Sequence, residues 1–286
     1  MSGARPSVTP LERPVDGDWL ALREPADARA RDAVADELLP ALRAHLSRRG
    51  GELHVVDVGA GTGAGARWLA GQLPAARWTL LDHDADLLAR AAAGLGPTGR
   101  EAQQRLGDLD DAAALVRGGG VDVLTATALL DLLRPAETDV LVGAALSAAV
   151  PLLLSLTVTG EVTLDPPHPA DADLAAAFDA HQRRGGRLGP DAAAPVVERL
   201  RGAGWRVLTA ASPWRLGAAG AGEDDGPMLR AWLDGRAEAA VEQEPALAGR
   251  AASWLSGRRR QVDEKRLGVL VGHVEVLALP GQERDG

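Results

Sequence analysis

Apolar and polar residues follow two different periods along the first 160 residues of the chain. Short, almost continuous apolar runs predict buried strands, and segments with apolar residues three or four positions apart predict helices. The predicted strands lie at 53–58, 78–81, 121–126 and 152–158, and the longest helical segments lie at 19–49 and 135–150. Strands that alternate with helices of this length form β-α-β units. The pattern therefore predicts an α/β fold, a doubly wound parallel sheet with helices on both faces.

The second half of the chain is less regular. Pro166, Pro167 and Pro169 exclude a helix locally, because proline fixes φ and removes an N–H donor. We expect residues 1–18 to form a flexible leader and residues 19–286 to form one domain. Within this domain we predict lid helices at 19–49, a substrate cap at 161–203, and a helical insertion at 217–266 before a closing strand at 269–279.

Composition excludes several kinds of chemistry. The chain has 286 residues, of which 46% are hydrophobic and 25% charged, which is ordinary for a globular protein. It contains no Cys and no Tyr. The absence of Cys excludes disulfides, thiolate metal sites and a Cys nucleophile, and we predict no metal site. The absence of Tyr excludes dehydrogenases that use a Tyr–Lys acid–base pair.

Charge and hydropathy point to a cytoplasmic protein. The net charge of −9 at pH 7 argues against nucleic acid as a partner, because such partners require a basic surface. The uncharged stretch 140–160 is interrupted by Pro151 and rich in small residues, so a buried helix and strand are favoured over a membrane span. The first 18 residues lack the apolar segment of a signal peptide. The Ala-, Gly- and Arg-rich composition is typical of a bacterium with a GC-rich genome.

The turn after the first predicted strand carries the most chemical information. Asp57 lies near the end of that strand, and Gly59, Gly61 and Gly63 follow at alternate positions, with Ala60 between the first two. Glycines in the first βα turn of a parallel sheet let the backbone approach a ligand. Their spacing alone also fits a dinucleotide-binding turn.

Two acidic residues distinguish between these ligands. Asp57 would repel a pyrophosphate but favours a ligand with an ammonium or sulfonium group. Asp82 ends the second predicted strand, where an acid accepts hydrogen bonds from two ribose hydroxyls. A nucleoside ligand with a cationic group is therefore the better interpretation.

This arrangement resembles the class I S-adenosylmethionine-dependent methyltransferases. The resemblance extends from residues 57–63 through Asp82 to Gly107-Asp108-Leu109 and the segment 121–130. It implies a Rossmann-like, seven-stranded, mostly parallel sheet with an antiparallel last strand, and S-adenosyl-L-methionine as the cofactor. Residues 19–30 also resemble the lid helix of the trans-aconitate methyltransferase-like proteins, which act on small molecules.

The resemblance also implies which residues bind the cofactor. The glycine turn would bind the methionine moiety, Asp82 the ribose, and Asp108 with Leu109 the adenine. The complete predicted set is Asp57, Gly59, Ala60, Gly61, Gly63, Asp82, His83, Asp108, Leu109, Thr125, Ala126 and Arg23, the last as a partner of the methionine carboxylate.

Two residues are candidate catalytic bases, with a helix cap as the alternative for Asp131 and a solvated loop residue as the alternative for His168. Asp131 follows the fourth strand and His168 follows the fifth, and a base is useful because an alcohol, phenol or amine acceptor must lose a proton near neutral pH. A basic cluster nearby is either a set of solvated charges or a site for an anionic substrate; it consists of His181, Arg183, Arg184 and Arg187.

The sequence therefore predicts an enzyme that transfers a methyl group from S-adenosylmethionine to oxygen or nitrogen of a small molecule by in-line displacement. Two alternatives stay open. One is an NAD(P)-binding oxidoreductase that uses the same turn. The other is a non-catalytic cofactor-binding partner subunit, which the lack of a strong acid–base constellation allows. A homodimer is compatible with the sequence.

Overall fold

Strand β1 (Leu53–Val58) is buried at every position, as a strand must be when helices cover both faces of its sheet. The computed structural model describes residues 15–92, 99–220 and 225–281. Most of the predicted leader, residues 1–14, lies outside the described residues. The leader prediction extends too far at its other end, because a helix already begins at Gly17, with Asp16 as its N-cap.

Helices and strands alternate through most of the described chain. The remaining strands are β2 (Ala76–Asp82), β3 (Gly99–Leu106), β4 (Val123–Thr127), β5 (Leu152–Asp165), β6 (Arg206–Ala211), β7 (Trp214–Gly217) and β8 (Gly268–Leu279). The helices are α1 (Gly17–Asp32), α2 (Ala35–Leu46), α3 (Ala64–Ala70), α4 (Ala85–Ala92), α5 (Leu109–Arg117), α6 (Pro135–Ala148), α7 (Asp171–Gln182), α8 (Ala193–Gly202), α9 (Gly226–Gln243) and α10 (Ala248–Asp263). Short 3-10 turns lie at Leu130–Leu132, Arg184–Gly186, Gly189–Asp191 and Pro245–Leu247.

The strands form one sheet in the order β3-β2-β1-β4-β5-β8-β6. Strands β1 to β5 pair in parallel, and β8 runs antiparallel to β5, β6 and β7. This confirms the predicted doubly wound, mostly parallel sheet with an antiparallel last strand. The predicted number of seven strands is corrected to eight among the described residues, because β7 adds a short antiparallel pair with β8.

Alternating strand residues divide the core between the two faces of the sheet. Val56 and Leu124 pack in a cluster with α5, α6 and α8 on one face. Val55 and Val123, one position earlier in each strand, pack with α2, α3 and α4 on the other. This alternation follows from the two-residue period of a strand. A third cluster joins α7, α9 and α10 to β7 and the adjoining parts of β5 and β8.

The two predicted lid helices differ in position. Helix α1 crosses the carboxyl edge of the sheet, as described below. Helix α2 instead packs against β6 and β8, with Leu39 and Leu42 almost completely buried. The prediction of a lid is therefore wrong for α2, because its apolar residues at helical spacing cover the sheet itself.

The predicted substrate cap at 161–203 is also revised. Strand β5 continues to Asp165 and pairs with β8 along its outer half, and α8 packs on β6 and β8. Only α7 and its flanking turns remain outside the sheet layers. Helix α10 anchors the proline-rich loop, because the buried Arg258 donates 2.6 and 2.7 Å hydrogen bonds to Asp171 and one of 2.7 Å to the Pro166 carbonyl.

The uncharged stretch 140–160 lies in α6 and the first half of β5. Its apolar residues, among them Leu141, Val142 and Leu152, are completely or almost completely buried in the core. Within residues 15–92, 99–220 and 225–281, we find no helix with both the length and the apolar character needed to cross a bilayer.

Truncation of Leu42 tests the placement of α2. Leu42 is fully buried, so Leu42→Ala should lower the free energy of unfolding by about 2–5 kcal/mol. Leu106 is 63% exposed, and the control Leu106→Ala should change it by less than about 0.5 kcal/mol. Urea unfolding followed by circular dichroism measures both. Equal effects of the two substitutions would show that α2 is not part of the core.

Candidate active site

A cavity of about 490 Å³ lies at the carboxyl edge of the parallel strands. Its walls come from the β1–α3 turn, the segments that follow β2, β3 and β4, and the first half of α1. The strand order reverses between β1 and β4, and ligands of open α/β sheets bind at such a point. The volume lies within the range of small-molecule sites.

The predicted glycine turn forms the floor of this cavity. Gly59 and Gly61 line it and have left-handed backbones, with φ of 64° and 54°. A Cβ on Gly59 would lie 2.9 Å from Leu129 Cδ1, so both the conformation and the space require glycine there. Ala60 also lines the cavity, whereas Gly63, the N-cap of α3, does not. The turn thus presents bare backbone to the cavity.

Asp82 lies in the cavity wall with most of its surface buried. Its Oδ2 accepts a 2.7 Å hydrogen bond from the Gly61 N–H, and its Oδ1 accepts one of 2.9 Å from the Asp84 N–H. His83, which is more than half exposed, places Nδ1 3.4 Å from Oδ1. Because a carboxylate oxygen has two lone pairs, each oxygen of Asp82 can accept one further hydrogen bond from a ligand.

Asp108 and Leu109 form the adjoining part of the wall. The Asp108 side chain caps α5 by accepting hydrogen bonds from the N–H groups of Asp110 and Asp111, at 2.9 and 3.2 Å. Leu109 is the first residue of that helix and is 7% exposed. A polar group and an apolar surface are therefore adjacent, as a purine base requires.

Asp57 does not line the cavity, contrary to the prediction of a direct ligand contact. It is almost fully buried behind the turn, and neither carboxylate oxygen has a hydrogen-bond partner among the described residues. Burial raises the pKa of Asp57 to about 7; the Arg31 guanidinium opposes this shift and the Asp82 charge adds to it. Asp57 can therefore influence a ligand only through its charge and through the packing of the turn.

Gly65 is a site residue that the sequence interpretation missed. It lines the cavity, and a Cβ there would lie 2.4 Å from Thr127 Oγ1 and 3.5 Å from Asp57 Oδ2. Helix α3 can approach β4 this closely only without a side chain at this position. The signal was present in the sequence, because Gly65 continues the alternate spacing of Gly59, Gly61 and Gly63.

Thr125 and Ala126 lie within β4 rather than in the cavity wall, which corrects another prediction. Both are buried, and Thr125 Oγ1 donates a 3.0 Å hydrogen bond to the Leu153 carbonyl. Strand β4 continues to Thr127, so the cavity is lined instead by the following residues: Thr127, Ala128 and Leu129.

A strained segment of β5 lies beside the end of β4. Leu156 lines the cavity with φ of 53°, and Ala128 lines it with φ of 50°. Non-glycine residues rarely adopt this conformation without support from their surroundings. The buried Glu275 supplies support here, since its Oε1 accepts hydrogen bonds from the Leu156 N–H at 2.9 Å and from Ser212 Oγ at 2.8 Å. Burial raises the pKa of Glu275.

Helix α1 covers the cavity with its first half, and Trp19, Leu20 and Arg23 line it. Arg23 donates to the Asp27 carboxylate at 2.9 and 3.1 Å and lies over the Trp214 ring, 4.7 Å from its centroid. These contacts hold the guanidinium at the cavity wall. The position of α1 agrees with a lid, although the lid function itself stays a prediction.

Asp131 lines the same cavity, and its role as a base stays a prediction. It is 7% exposed, and its Oδ1 has no hydrogen-bond partner among the described residues. Burial raises the pKa of Asp131 to about 6, against the opposing effects of a backbone hydrogen bond and the Arg23 charge. A carboxylate with this pKa is mostly ionised at pH 7 and able to accept a proton.

His168 lies outside the cavity, so the structure gives no support to its predicted catalytic role. Its ring Nδ1 accepts a 3.1 Å hydrogen bond from the Ala170 N–H. Its backbone N–H donates a 2.8 Å hydrogen bond to the Asp171 carboxylate. Strand β5 ends at Asp165 rather than at 158. Because a strand advances about 3.3 Å per residue, the extension carries the proline-rich loop away from the site.

Comparison with known families agrees with this geometry. Residues 55–150 match a family model described as a methyltransferase domain. The matched segment is less than half of the chain. It contains the glycine turn, Asp82, Asp108 and Asp131. The match confirms the predictions that the chain is an enzyme and that S-adenosylmethionine is its cofactor. A search of curated proteins found no match.

Several solved structures are similar to this chain. A SAM-dependent methyltransferase from Thiobacillus denitrificans, in complex with S-adenosyl-L-homocysteine, is 20% identical over 84% of this chain and 90% of its own, with a TM-score of 0.41. A cyclopropane synthase from Mycobacterium tuberculosis is 16% identical over 84% and 83%, with a TM-score of 0.43. The YcgJ protein from Bacillus subtilis is 10% identical over 85% and 97%, with a TM-score of 0.45.

Asp57→Asn tests the buried carboxyl group behind the turn. An unfolded Asp titrates near ~3.9, whereas the pKa of Asp57 in the fold is about 7. The native state therefore holds a proton that the unfolded state releases, and wild-type stability falls as the pH rises through about 7. The Asp57→Asn variant has no carboxyl proton at this position to release, so it avoids this loss of stability. Between pH 5 and pH 8 the variant should gain about 1–3 kcal/mol relative to wild type, measured by urea unfolding at each pH.

Asp110→Asn is the matched control, because Asp110 is exposed and its side chain lies outside the cavity. A difference between wild type and Asp57→Asn that stays constant from pH 5 to pH 8 would contradict the buried, protonated carboxyl.

Proposed function

We propose that this methyltransferase transfers a methyl group from S-adenosylmethionine to an oxygen or nitrogen atom of a small-molecule acceptor. The observation that carries the proposal is that one cavity is lined both by the glycine turn with Asp82 and by Asp131. A nucleoside ligand bound at the glycine turn and Asp82 would extend toward Asp131. The cavity has a volume of about 490 Å³ and is lined in part by α1, which favours a small acceptor over a macromolecule.

The residues present fit the cofactor. Gly59 and Gly61 leave the space that a side chain would fill, so the backbone at 59–63 can hold the methionine moiety. Asp82 would accept hydrogen bonds from the ribose hydroxyls, since each of its oxygens has a lone pair left. Asp108 and Leu109 would hold the adenine.

Two further side chains would complete the cofactor site. Arg23 keeps its Nη1 free of the contacts with Asp27 and would donate to the methionine carboxylate. His83 is partly exposed beside Asp82 and would lie along the adenosine. Asp57 would act from behind the turn, through its packing and charge, and not by contact.

The cofactor supplies a methyl group on a positively charged sulfur, so transfer forms a bond from the acceptor to carbon while the carbon–sulfur bonding pair leaves with a neutral thioether. The enzyme therefore has to align the acceptor and exclude water. Trp19 and Leu20 of α1, which line the cavity, would exclude water from it. Asp131 would take the proton that an O–H or N–H acceptor releases.

Asp82→Asn tests the cofactor site. Loss of one charge-assisted hydrogen bond to ribose should weaken binding of S-adenosylhomocysteine by about 1.5–3 kcal/mol, which titration calorimetry measures. The control is Asp84→Asn, because the Asp84 side chain caps α4 and does not line the cavity. An unchanged dissociation constant for Asp82→Asn would remove Asp82 from the site. Tight binding of NADH in the same experiment would favour the oxidoreductase alternative.

Asp131→Asn tests the proposed base. With an acceptor found by screening for S-adenosylhomocysteine formation, kcat/KM should fall by about 10²–10⁴-fold. Because the pKa of Asp131 is about 6, wild-type kcat/KM should fall about tenfold per pH unit below that value, as the ionised form is lost. The Asp131→Asn variant should lack this fall of kcat/KM at low pH (the acid limb of the profile). Its affinity for S-adenosylhomocysteine should be unchanged.

Asp139→Asn provides the comparison for Asp131→Asn. Asp139 lies on α6, pairs with Arg199 at the surface and does not line the cavity. A full loss of activity in this control, or an intact acid limb in Asp131→Asn, would exclude Asp131 as the base. Tight cofactor binding with no turnover of any acceptor would favour a non-catalytic partner subunit.

A further inference from the structure

A second charged residue, Arg187, lines the same cavity as Asp131. The segment 184–188 runs alongside 131–134, held by a 2.9 Å hydrogen bond from the Leu188 N–H to the Leu133 carbonyl. Arg134 Nε donates to the Gly185 carbonyl at 2.7 Å. This pairing brings the Arg187 side chain into the cavity wall.

Arg187 differs from Arg23 and Arg134 in having no hydrogen-bond or ion-pair partner among the described residues. Arg23 is held by Asp27, and Arg134 donates to a backbone carbonyl. The neighbouring arginines of the same segment are also paired, Arg183 with Asp191 at 2.8 Å and Arg184 with Glu242 at 2.6 Å. The Arg187 guanidinium makes no hydrogen bond or ion pair with any described residue, although it is half-buried.

Asp131 and Arg187 line one cavity, and among the described residues neither Asp131 Oδ1 nor the Arg187 guanidinium has a partner. A ligand that contacts both would supply a partner for a carboxylate and for a guanidinium. The cavity wall also includes apolar side chains, among them Leu132, Leu133 and Val158. A ligand that satisfies all of these groups has two polar ends and an apolar body.

We propose that the methyl acceptor is a carboxylate-bearing hydroxy or amino compound whose carboxylate binds Arg187. This inference rests on the proposed function, and it adds the chemical class of the acceptor. The acceptor's O–H or N–H group faces Asp131, which takes its proton, while the guanidinium donates two parallel hydrogen bonds to the carboxylate.

Charge favours a carboxylate over a more highly charged anion. Arg187 lines the cavity together with Asp131 and Glu137. A phosphate dianion would bring one more negative charge than a carboxylate beside these two acids. The protein as a whole carries a net charge of −9, so recognition of any anion needs such a local positive group.

The pairing also gives a reason for specificity. A neutral analogue of the acceptor would leave the half-buried Arg187 guanidinium without a partner at the cavity wall. Sites that leave a polar group without a partner discriminate against such analogues. Arg187 is thus a specificity-determining residue, whereas Asp131 acts on the reacting atom.

Matched acid and amide probes test this proposal, because the two members of a pair differ mainly in charge. The probes are 4-hydroxybenzoate with 4-hydroxybenzamide and 3-hydroxybutyrate with 3-hydroxybutyramide, titrated by calorimetry into protein saturated with S-adenosylhomocysteine. At least one acid should bind wild type about tenfold or more tightly than its amide. Arg187→Gln should lose about tenfold or more in affinity for the acid and nothing for the amide, and Arg187→Lys should fall between.

Arg183→Gln is the matched control, since Arg183 belongs to the same segment but pairs with Asp191 outside the cavity. All variants should bind S-adenosylhomocysteine as wild type does. The proposal is overturned if neither acid binds at millimolar concentration, if acids and amides bind equally, or if Arg183→Gln loses as much affinity as Arg187→Gln. A wild type that does not bind S-adenosylhomocysteine would instead refute the proposed cofactor site.

Discussion

The close contact between α3 and the end of β4 is the constraint on which the site depends. Gly65 places its backbone so near Thr127 that no Cβ would fit between them. This contact seals Asp57 behind the turn, where burial raises the pKa of its carboxyl. It also leaves the bare backbone of Gly59 and Gly61 as the cavity floor. A larger residue at position 65 would separate the helix from the strand and alter the floor and the buried charge together.

Two charged residues of the cavity wall, Asp131 and Arg187, differ from Arg23 in their pairing. Arg23 is held by Asp27, whereas Asp131 and Arg187 have no side-chain partner among the described residues. An unpaired group at the wall of a cavity costs free energy unless a ligand satisfies it. The proposed base and the proposed anion-binding residue are thus the groups that a bound acceptor would satisfy. Burial tunes the base, since the pKa of Asp131 is about 6.

Errors of prediction arose where long-range contacts override a local pattern. The apolar spacing of α2 was correctly interpreted as helical, but only its packing on β6 and β8 shows that it belongs to the core. His168 follows a strand that pairs with β8 for seven residues more than the apolar run suggested, so it lies elsewhere. Thr125 and Ala126 were predicted in the wall because the end of β4 was set too early. Each of these depends on a neighbour that is distant in sequence.

By itself, the sequence determined the parallel sheet, the antiparallel last strand, the glycine turn and the acidic residues that follow β2 and β3. These features are local, because the hydrophobic period, the glycine spacing and the strand ends each depend on a short segment of the sequence. Only the tertiary structure decided that Asp57 lies behind the turn, that Gly65 contacts Thr127, and that Arg187 joins Asp131 in one cavity. The reason is physical: burial, a raised pKa and an unpaired charge depend on atoms that the fold brings together from segments far apart in the chain.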